Sequence, residues 1–135
     1  MANISQYATK AMLDWVLGGA AVTQPTKWAV GLSLGSPTSV SGSEITTGSG
    51  YARQTANTFA AAGTPTSSAT ATNTTNITFG PFSSACSISG IQIWDTVLSL
   101  NSGNMLFMGL LTTARTLIAG DLLVVNSGAL TVSLN

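Results

Sequence analysis

The sequence has little charge and no histidine. Of its 135 residues, four are basic and four acidic, which gives a formal net charge of zero. Soluble domains average about 25% charged residues, against 6% here. Without histidine there can be no Ser-His-Asp or Cys-His catalytic arrangement. With a single cysteine there can be no Cys/His zinc cluster either. We therefore expect no metal ion and no cofactor.

The four acidic residues are the remaining candidates for catalysis. Two of them could meet in space as a glycosidase carboxylate pair. They lie far apart in the sequence, however, so we favour solvated or ion-paired structural carboxylates. The sequence thus predicts a protein that is not an enzyme. The residues are Asp14, Glu44, Asp95 and Asp121.

Nucleic-acid and membrane binding are also disfavoured. Nucleic-acid binding draws on phosphate neutralisation by Lys and Arg, and the chain has no basic cluster. No apolar run approaches the ~20 residues of a membrane-spanning helix. The segment "AMLDWVLGGAA" carries Asp14 and follows no basic cluster, which argues against a signal peptide. Lone Cys86 lies in the apolar stretch "SSACSISG", and we expect it to be a small buried hydrophobe.

Hydroxyl groups replace charge as the polar fraction. The chain has 37 Ser and Thr residues and 14 Gly. A neutral, hydroxyl-rich surface at zero net charge offers little colloidal repulsion, which favours association. We predict that the protein associates with itself, as a dimer or trimer, within a larger assembly.

One helix is predicted, at about residues 4–17. Apolar residues recur in "ISQYATKAMLDWVL" at spacings of three and four, forming one stripe. Asn3 or Ser5 can serve as N-cap, and Gly18-Gly19 marks the end. We expect the stripe to belong to the core, with docking on a partner as the alternative.

The rest of the chain predicts short strands. "KWAVGLSL" and "LTVSLN" alternate with period two, and turn residues recur about every ten positions. In "CSISGIQIWDT" we expect Ile88, Ile91 and Ile93 to be buried, although the glycine breaks the phase. The fold class predicted is mainly β: a single domain over 1–135, with the helix outside an antiparallel, jelly-roll-like β-sandwich at about 27–134. Residues 61–76, which include the Ser/Thr-rich segment 64–76, are expected to form a flexible loop or an exposed β-hairpin.

Three tryptophans are candidate anchors. They could form a sugar-binding platform, but core or interface positions are favoured because large aromatic side chains dominate both. The residues are Trp15, Trp28 and Trp94.

Arg53, in "GSGYARQ", is one of four basic residues, and no further charge follows before Asp95. On a strand, Tyr51 and Arg53 would point to the same face. The planar guanidinium suits a carboxylate or several carbonyls. Glu44 is the nearest acid in sequence, with Asp95 and Asp121 as alternatives. We predict that Arg53 ties the start of its strand to a loop; contact with a neighbouring subunit is the alternative.

Taken as a whole, residues from about 5 to 134 resemble a family of small structural proteins of tailed bacteriophages. The most telling pieces are Gly50 to Gln54, Ile91 to Asp95, Ala114 to Asp121, and Gly128-Ala129-Leu130. The family is often described as tail-fibre-like, and some proteins of this type are β-sandwich cement proteins on the capsid. The pieces include no catalytic motif.

The resemblance implies a virion protein, made in the cytoplasm of the host bacterium. From it we predict a capsid decoration protein that binds the major capsid protein or another virion protein. The helix or segment 64–76 would supply the contacts. The alternatives are a tail-fibre or adhesin component that touches the host surface, and a small carbohydrate-binding domain.

Overall fold

The computed structural model describes residues 3–45, 49–56, 59–60, 69–97 and 102–134. Its elements, in chain order, are β1 (Asn3–Ile4), α1 (Gln6–Leu17), β2 (Trp28–Ser33), β3 (Gln54–Ala56), β4 (Ala69–Thr72), β5 (Ile77–Phe79), β6 (Cys86–Trp94), β7 (Met105–Leu117), β8 (Leu123–Val125) and β9 (Thr131–Leu134).

The strands form one large sheet and two small ones. The large sheet has the order β1-β7-β6-β2-β3, and the small sheets pair β4 with β9 and β5 with β8. Every pairing is antiparallel. One apolar cluster draws buried side chains from both kinds of sheet, including Val30, Ile93, Phe79 and Val132. The predicted mainly β, antiparallel fold is confirmed, and the shared core is consistent with a sandwich. Jelly-roll connectivity and the single-domain boundary stay predictions.

Strand β2 is covered on both faces. Its alternating apolar residues Val30 and Leu32 are buried in the core, as predicted, and Leu34 beyond its end is exposed. The intervening Ala29 and Ser33 are buried as well. Period-two alternation predicts one buried face, so the burial of both faces of β2 differs from that expectation. At Gly31 the second face meets the polar groups of Glu44, Tyr51 and Trp94, which a period-two pattern cannot reveal.

Strands β6 and β7 form the centre of the large sheet. Ile88 and Ile93 are buried and Ile91 is half-buried against the core, in line with the sequence prediction. The register shifts between Ile88 and Gly90, where the glycine was expected to break the alternation. Cys86, at the start of β6, is half-buried rather than buried, since it lies at the end of the sheet.

Helix α1 begins two residues later than predicted. Ser5 is its N-cap, with an extended backbone, and its hydroxyl accepts a hydrogen bond from the Ala8 amide at 3.1 Å. The same hydroxyl donates to the Met105 carbonyl, while the Ser5 amide donates to Leu106 O at 3.0 Å. The buried cap thus ties the first turn to β7. Gly18 ends the helix in the left-handed region (φ 73°), as the Gly-Gly signal indicated.

The apolar stripe of α1 is not core. Ala8 is the one buried residue among those of the helix. Trp15 is 72% exposed and Leu17 is 77% exposed, and Tyr7, Met12, Leu13 and Val16 are exposed too. The core prediction was wrong because, among the described residues, Ala8 alone of the helix side chains is buried against the rest of the chain. A stripe at helical spacing looks the same whether its partner is intramolecular or another molecule.

The segment before β3 differs from the prediction, and segment 64–76 lies partly outside the described residues. The sequence analysis placed Tyr51 and Arg53 on one strand, but β3 begins at Gln54. Beyond Val30 the edge of β2 is already occupied, because the Ile45 amide donates to Leu32 O at 3.1 Å and Ser33 bridges Glu44. Of segment 64–76, residues 64–68 lie outside the described residues, whereas Ala69–Thr72 form β4 beside β9.

Candidate functional site

Arg53 forms a buried ion pair with Glu44. Its Nε donates to Oε1 and its Nη2 to Oε2, both at 2.7 Å, in a two-point contact between planar groups. The side chains are 0% and 7% exposed. This is the carboxylate that the sequence analysis placed first among the possible partners. The fold brings it close because Glu44 lies beside Ser33 at the edge of β2.

The remaining guanidinium contacts are with a neighbouring loop. Nη1 donates to Thr96 O at 3.3 Å and to Ser102 O at 3.0 Å. The Arg53 Cζ atom lies 3.8 Å from the centroid of the Trp94 ring, in cation–π geometry. One side chain therefore joins residues near 44, 53, 96 and 102. We call the five residues Arg53, Glu44, Tyr51, Gln92 and Trp94 the Arg53 cluster. The contacts of Tyr51 and Gln92 are described next.

Tyr51 reaches the same carboxylate from two residues away. Its hydroxyl donates to Glu44 Oε1 at 2.7 Å and accepts from the Leu32 amide at 3.0 Å. Its ring stacks on Phe79, with centroids 6.2 Å apart. Burial, together with the hydrogen bond to Glu44, raises the pKa of Tyr51 far above 10.0. The phenol thus stays protonated and keeps donating. Tyr51 and Arg53 both bond to Glu44 Oε1, although neither lies on a strand as the spacing argument assumed.

Trp94 and Gln92 complete the cluster on the sheet. Trp94 Nε1 donates to Gln92 Oε1 at 2.8 Å, and Gln92 Nε2 donates to the carbonyl of Gly42. The sequence analysis missed Gln92, which is fully buried. A signal existed: in "IQIW" one amide interrupts an apolar strand, and a buried amide needs partners for both ends.

Gly31 leaves the space that the cluster occupies. A Cβ at this position would lie 3.0 Å from the Tyr51 hydroxyl and 3.2 Å from both Glu44 Oε1 and Trp94 Nε1. The strand therefore needs a residue without a side chain where these three polar groups converge. This requirement is also invisible in a hydrophobicity pattern.

The two other candidate acids have different partners. Asp95 accepts from the Asn104 amide at 2.7 Å and from Asn104 Nδ2 at 2.8 Å, closing the turn before β7. Asp121 accepts from the Ile118 amide at 2.9 Å. Both carboxylates stabilise turns, so neither alternative partner for Arg53 is used.

The three tryptophans do not form one platform. Trp94 lies under the Arg53 guanidinium. Trp28 precedes Ala29, the residue that pairs with Trp94, and so points to the opposite face of the sheet, against the core cluster. Trp15 is on the exposed helix. Of the six residues singled out from the sequence, the cluster contains Arg53, Glu44, Tyr51 and Trp94, whereas Trp15 and Trp28 lie outside it.

Chemically, the Arg53 cluster is a closed set of donors and acceptors. The polar side chains of the five cluster residues all have partners within the protein, which suits the positioning of loops. In the described ranges, no group of three or more His, Cys, Asp and Glu side chains could hold a metal ion. The same ranges contain no helix with the length and apolarity needed to cross a bilayer.

A family model described as Podophage GP4 fiber I protein gp80 matches residues 3–133. The match spans nearly the whole chain, from β1 to β9, and includes the Arg53 cluster and α1. No curated protein is significantly similar in sequence to the chain.

Proposed function

The chain belongs to the podophage GP4 fiber I protein gp80 family, and we propose that it is a tail-fibre subunit that contacts the host surface. Membership makes it a structural protein of a phage virion, and the resemblance to small tailed-phage structural proteins is confirmed. The match over residues 3–133 to a fibre family is the observation that supports the proposal.

A fibre role differs from the function first predicted. The sequence analysis preferred a capsid decoration protein and kept the tail fibre as the alternative. The family description names a fibre, which favours the alternative. A cement role would need a separate observation, such as a surface complementary to a capsid lattice, and we do not propose it again.

The physical character of the surface fits contact by adhesion without catalysis. Only 6% of residues are charged, and 37 Ser and Thr side chains supply donors and acceptors that need no counter-ion. Such contacts are individually weak. Several copies on one particle would convert weak single contacts into tight attachment by effective concentration. Binding of this kind depends little on ionic strength, because few charges take part.

Localisation on the particle tests this function directly. Virions are labelled with gold-conjugated antibody against the purified chain and imaged by electron microscopy. We expect label on the tail. A second arm compares particles lacking the protein with complete ones: adsorption to host cells should fall while the heat stability of the capsid stays unchanged. Label distributed over the capsid, with loss of heat stability, would contradict the fibre role and restore the cement role.

A further inference from the structure

The two small sheets are the two ends of one antiparallel ribbon. Residues 69–72 pair with 134–131, and residues 77–79 continue along the same two chain segments to pair with 125–123. Between these ladders Asn73 joins the segments, because its Oδ1 accepts from the Leu130 amide at 2.8 Å and its Nδ2 donates to Asn126 O at 2.9 Å. Asn73 is buried, so the ribbon holds β9 in a defined, extended position.

The outer edge of β9 is unpaired in the described part of the chain. There β9 pairs with β4 alone, and no main-chain hydrogen bond outside that ladder involves residues 131–134. In an antiparallel strand, alternate residues direct their N–H and C=O groups to opposite sides. Half of these groups in β9 therefore point away from β4, along a strand on which Thr131 and Leu134 are exposed.

The composition of this edge leaves it open to strand pairing. Native proteins protect edge strands with lysine, proline, bulges or covering segments. From Leu122 to Leu134 the chain has no charged residue and no proline. Exposed aliphatic side chains lie nearby: Leu110 (58%) and Val124 (45%) line the opening between β7 and this segment of the ribbon, and neither belongs to the core cluster.

The other described edges are shorter, irregular or covered. Strand β1 has two residues, and β3, β5 and β8 have three each. On β7, residues 111–114 lie opposite Ser89 alone, and this bulge interrupts the edge. On β4, the Ala60 amide donates to Thr72 O at 2.8 Å and so occupies the edge. The regular, uncharged edge of β9 is therefore the one that favours another strand.

We infer that β9 of one copy pairs antiparallel with β9 of a second copy, giving a four-stranded sheet in the order β4-β9-β9-β4. A second copy suits this edge because the edge is self-complementary. Each copy supplies main-chain donors and acceptors, and the hydroxyls of Thr131 and Ser133 both donate and accept. Identical uncharged edges also meet at a two-fold axis without like-charge repulsion. The contact goes beyond the proposed tail-fibre function, since it concerns how two copies join.

The faces of the strand restrict the register. Val132 is buried on the core side, whereas Thr131 and Ser133 lie on the outer face. Both copies keep their cores on one side of the joined sheet, so residues opposite each other must share a face. With the strands overlapped, the two-fold axis therefore passes at Val132 or at Ser133 and not between them. In the first register Thr131 lies opposite the second copy's Ser133, and in the second Ser133 lies opposite its own equivalent.

Charge variants of the full chain test the edge. The lysine variant carries Thr131→Lys and Ser133→Lys, and the glutamate variant carries Thr131→Glu and Ser133→Glu. The control carries Thr70→Lys and Thr72→Lys, which lie opposite these positions on the same face but on β4, one strand farther from the axis. None of the four side chains belongs to the core cluster, so the fold should persist, which circular dichroism checks.

The readout is sedimentation velocity up to high micromolar concentration, because a pairing of four residues per copy is short and the dimer should be weak. Wild type and the control should form dimers and nothing larger, since a two-fold contact is closed. Each edge variant alone should dissociate with a constant raised about 10-fold by like charges facing each other. An equimolar mixture of the two edge variants should form heterodimers at least as readily as wild type.

Cysteine cross-linking distinguishes the two registers. All variants carry Cys86→Ala, which removes the native thiol. Under oxidation, Ser133→Cys alone should give a disulfide-linked dimer in the second register. An equimolar mixture of Ser133→Cys and Thr131→Cys should give one in the first. Thr70→Cys, on β4, should remain uncross-linked.

Three outcomes would overturn the inference. A wild-type chain that stays monomeric at high micromolar concentration excludes the contact. Association of the lysine variant that equals wild type assigns the contact to another surface. Cross-linking at residues 131 and 133 that is no faster than at residue 70 shows that the β9 edges do not meet.

Discussion

The Arg53 cluster and helix α1 invert the usual distribution of side chains. In the cluster, charged and polar groups are buried: Arg53, Glu44 and Gln92 are nearly inaccessible, and each ends on defined partners. In α1, large apolar groups face outward. The contrast shows that burial follows from available partners as well as hydrophobicity. A guanidinium can be buried when a carboxylate, carbonyls and an aromatic face surround it, and a helix stripe stays exposed when nothing in its own chain covers it.

The largest effect should come from breaking the buried ion pair. Arg53→Ala leaves the Glu44 carboxylate buried without its partner, so the free energy of unfolding should fall by about 3–5 kcal/mol. Urea denaturation of the purified chain measures this. The matched control is Lys10→Ala, which breaks the exposed pair with Asp14 and should cost about 0–1 kcal/mol. Equal losses in the two variants would show that burial gives the Arg53 pair no special weight.

Filling the space at Gly31 should come next. Gly31→Ala places a methyl group 3.0 Å from the Tyr51 hydroxyl. The strand or the cluster must shift, with a cost of about 1–3 kcal/mol by the same assay. Ala29→Gly on the same strand removes a methyl group instead and serves as comparison. If Gly31→Ala left the stability unchanged, the cluster would be looser than the distances indicate.

Removing the Tyr51 hydroxyl should cost about 1–3 kcal/mol as well, because the Leu32 amide and Glu44 each lose a partner. It should also change the response to alkali. Since the folded pKa of Tyr51 lies above 10.0, the native state holds its proton where the unfolded chain releases it. Stability is therefore fully present below pH 10 and falls as the pH rises above it. In Tyr51→Phe this fall should be smaller. An identical alkaline decline in both proteins would contradict the assignment.

The smallest effect on stability should come from the helix. Trp15→Ser removes an exposed side chain from α1, and the free energy of unfolding of the monomer should change by less than about 0.5 kcal/mol. Denaturation at a concentration too low for association checks this. A large loss would show that α1 packs on its own chain, which would remove the contrast with the cluster.

Some of this organisation could be read from the sequence. The partner of Arg53 was predictable because only four acids exist and one lies nine residues away. The caps of α1 were predictable because Ser and Gly act locally on the backbone. The second buried face of β2 was not predictable, since its burial depends on where the fold places the side chains of Glu44 and Tyr51 over the strand. The exposure of α1 was not predictable either, because helical periodicity identifies an apolar stripe without showing whether its partner is the same chain or another molecule.

Hydrogen–deuterium exchange followed by mass spectrometry tests the contrast most directly, because one experiment reports on both regions. The full chain is measured at a concentration low enough to limit association. We expect the amides of Leu32 and Asn104, which are bonded to the cluster and its adjoining turn, to exchange slowly. Peptides covering α1 should exchange fast, because the helix buries little of its surface on its own chain. Peptides of α1 that exchange as slowly as those of the cluster would contradict the account.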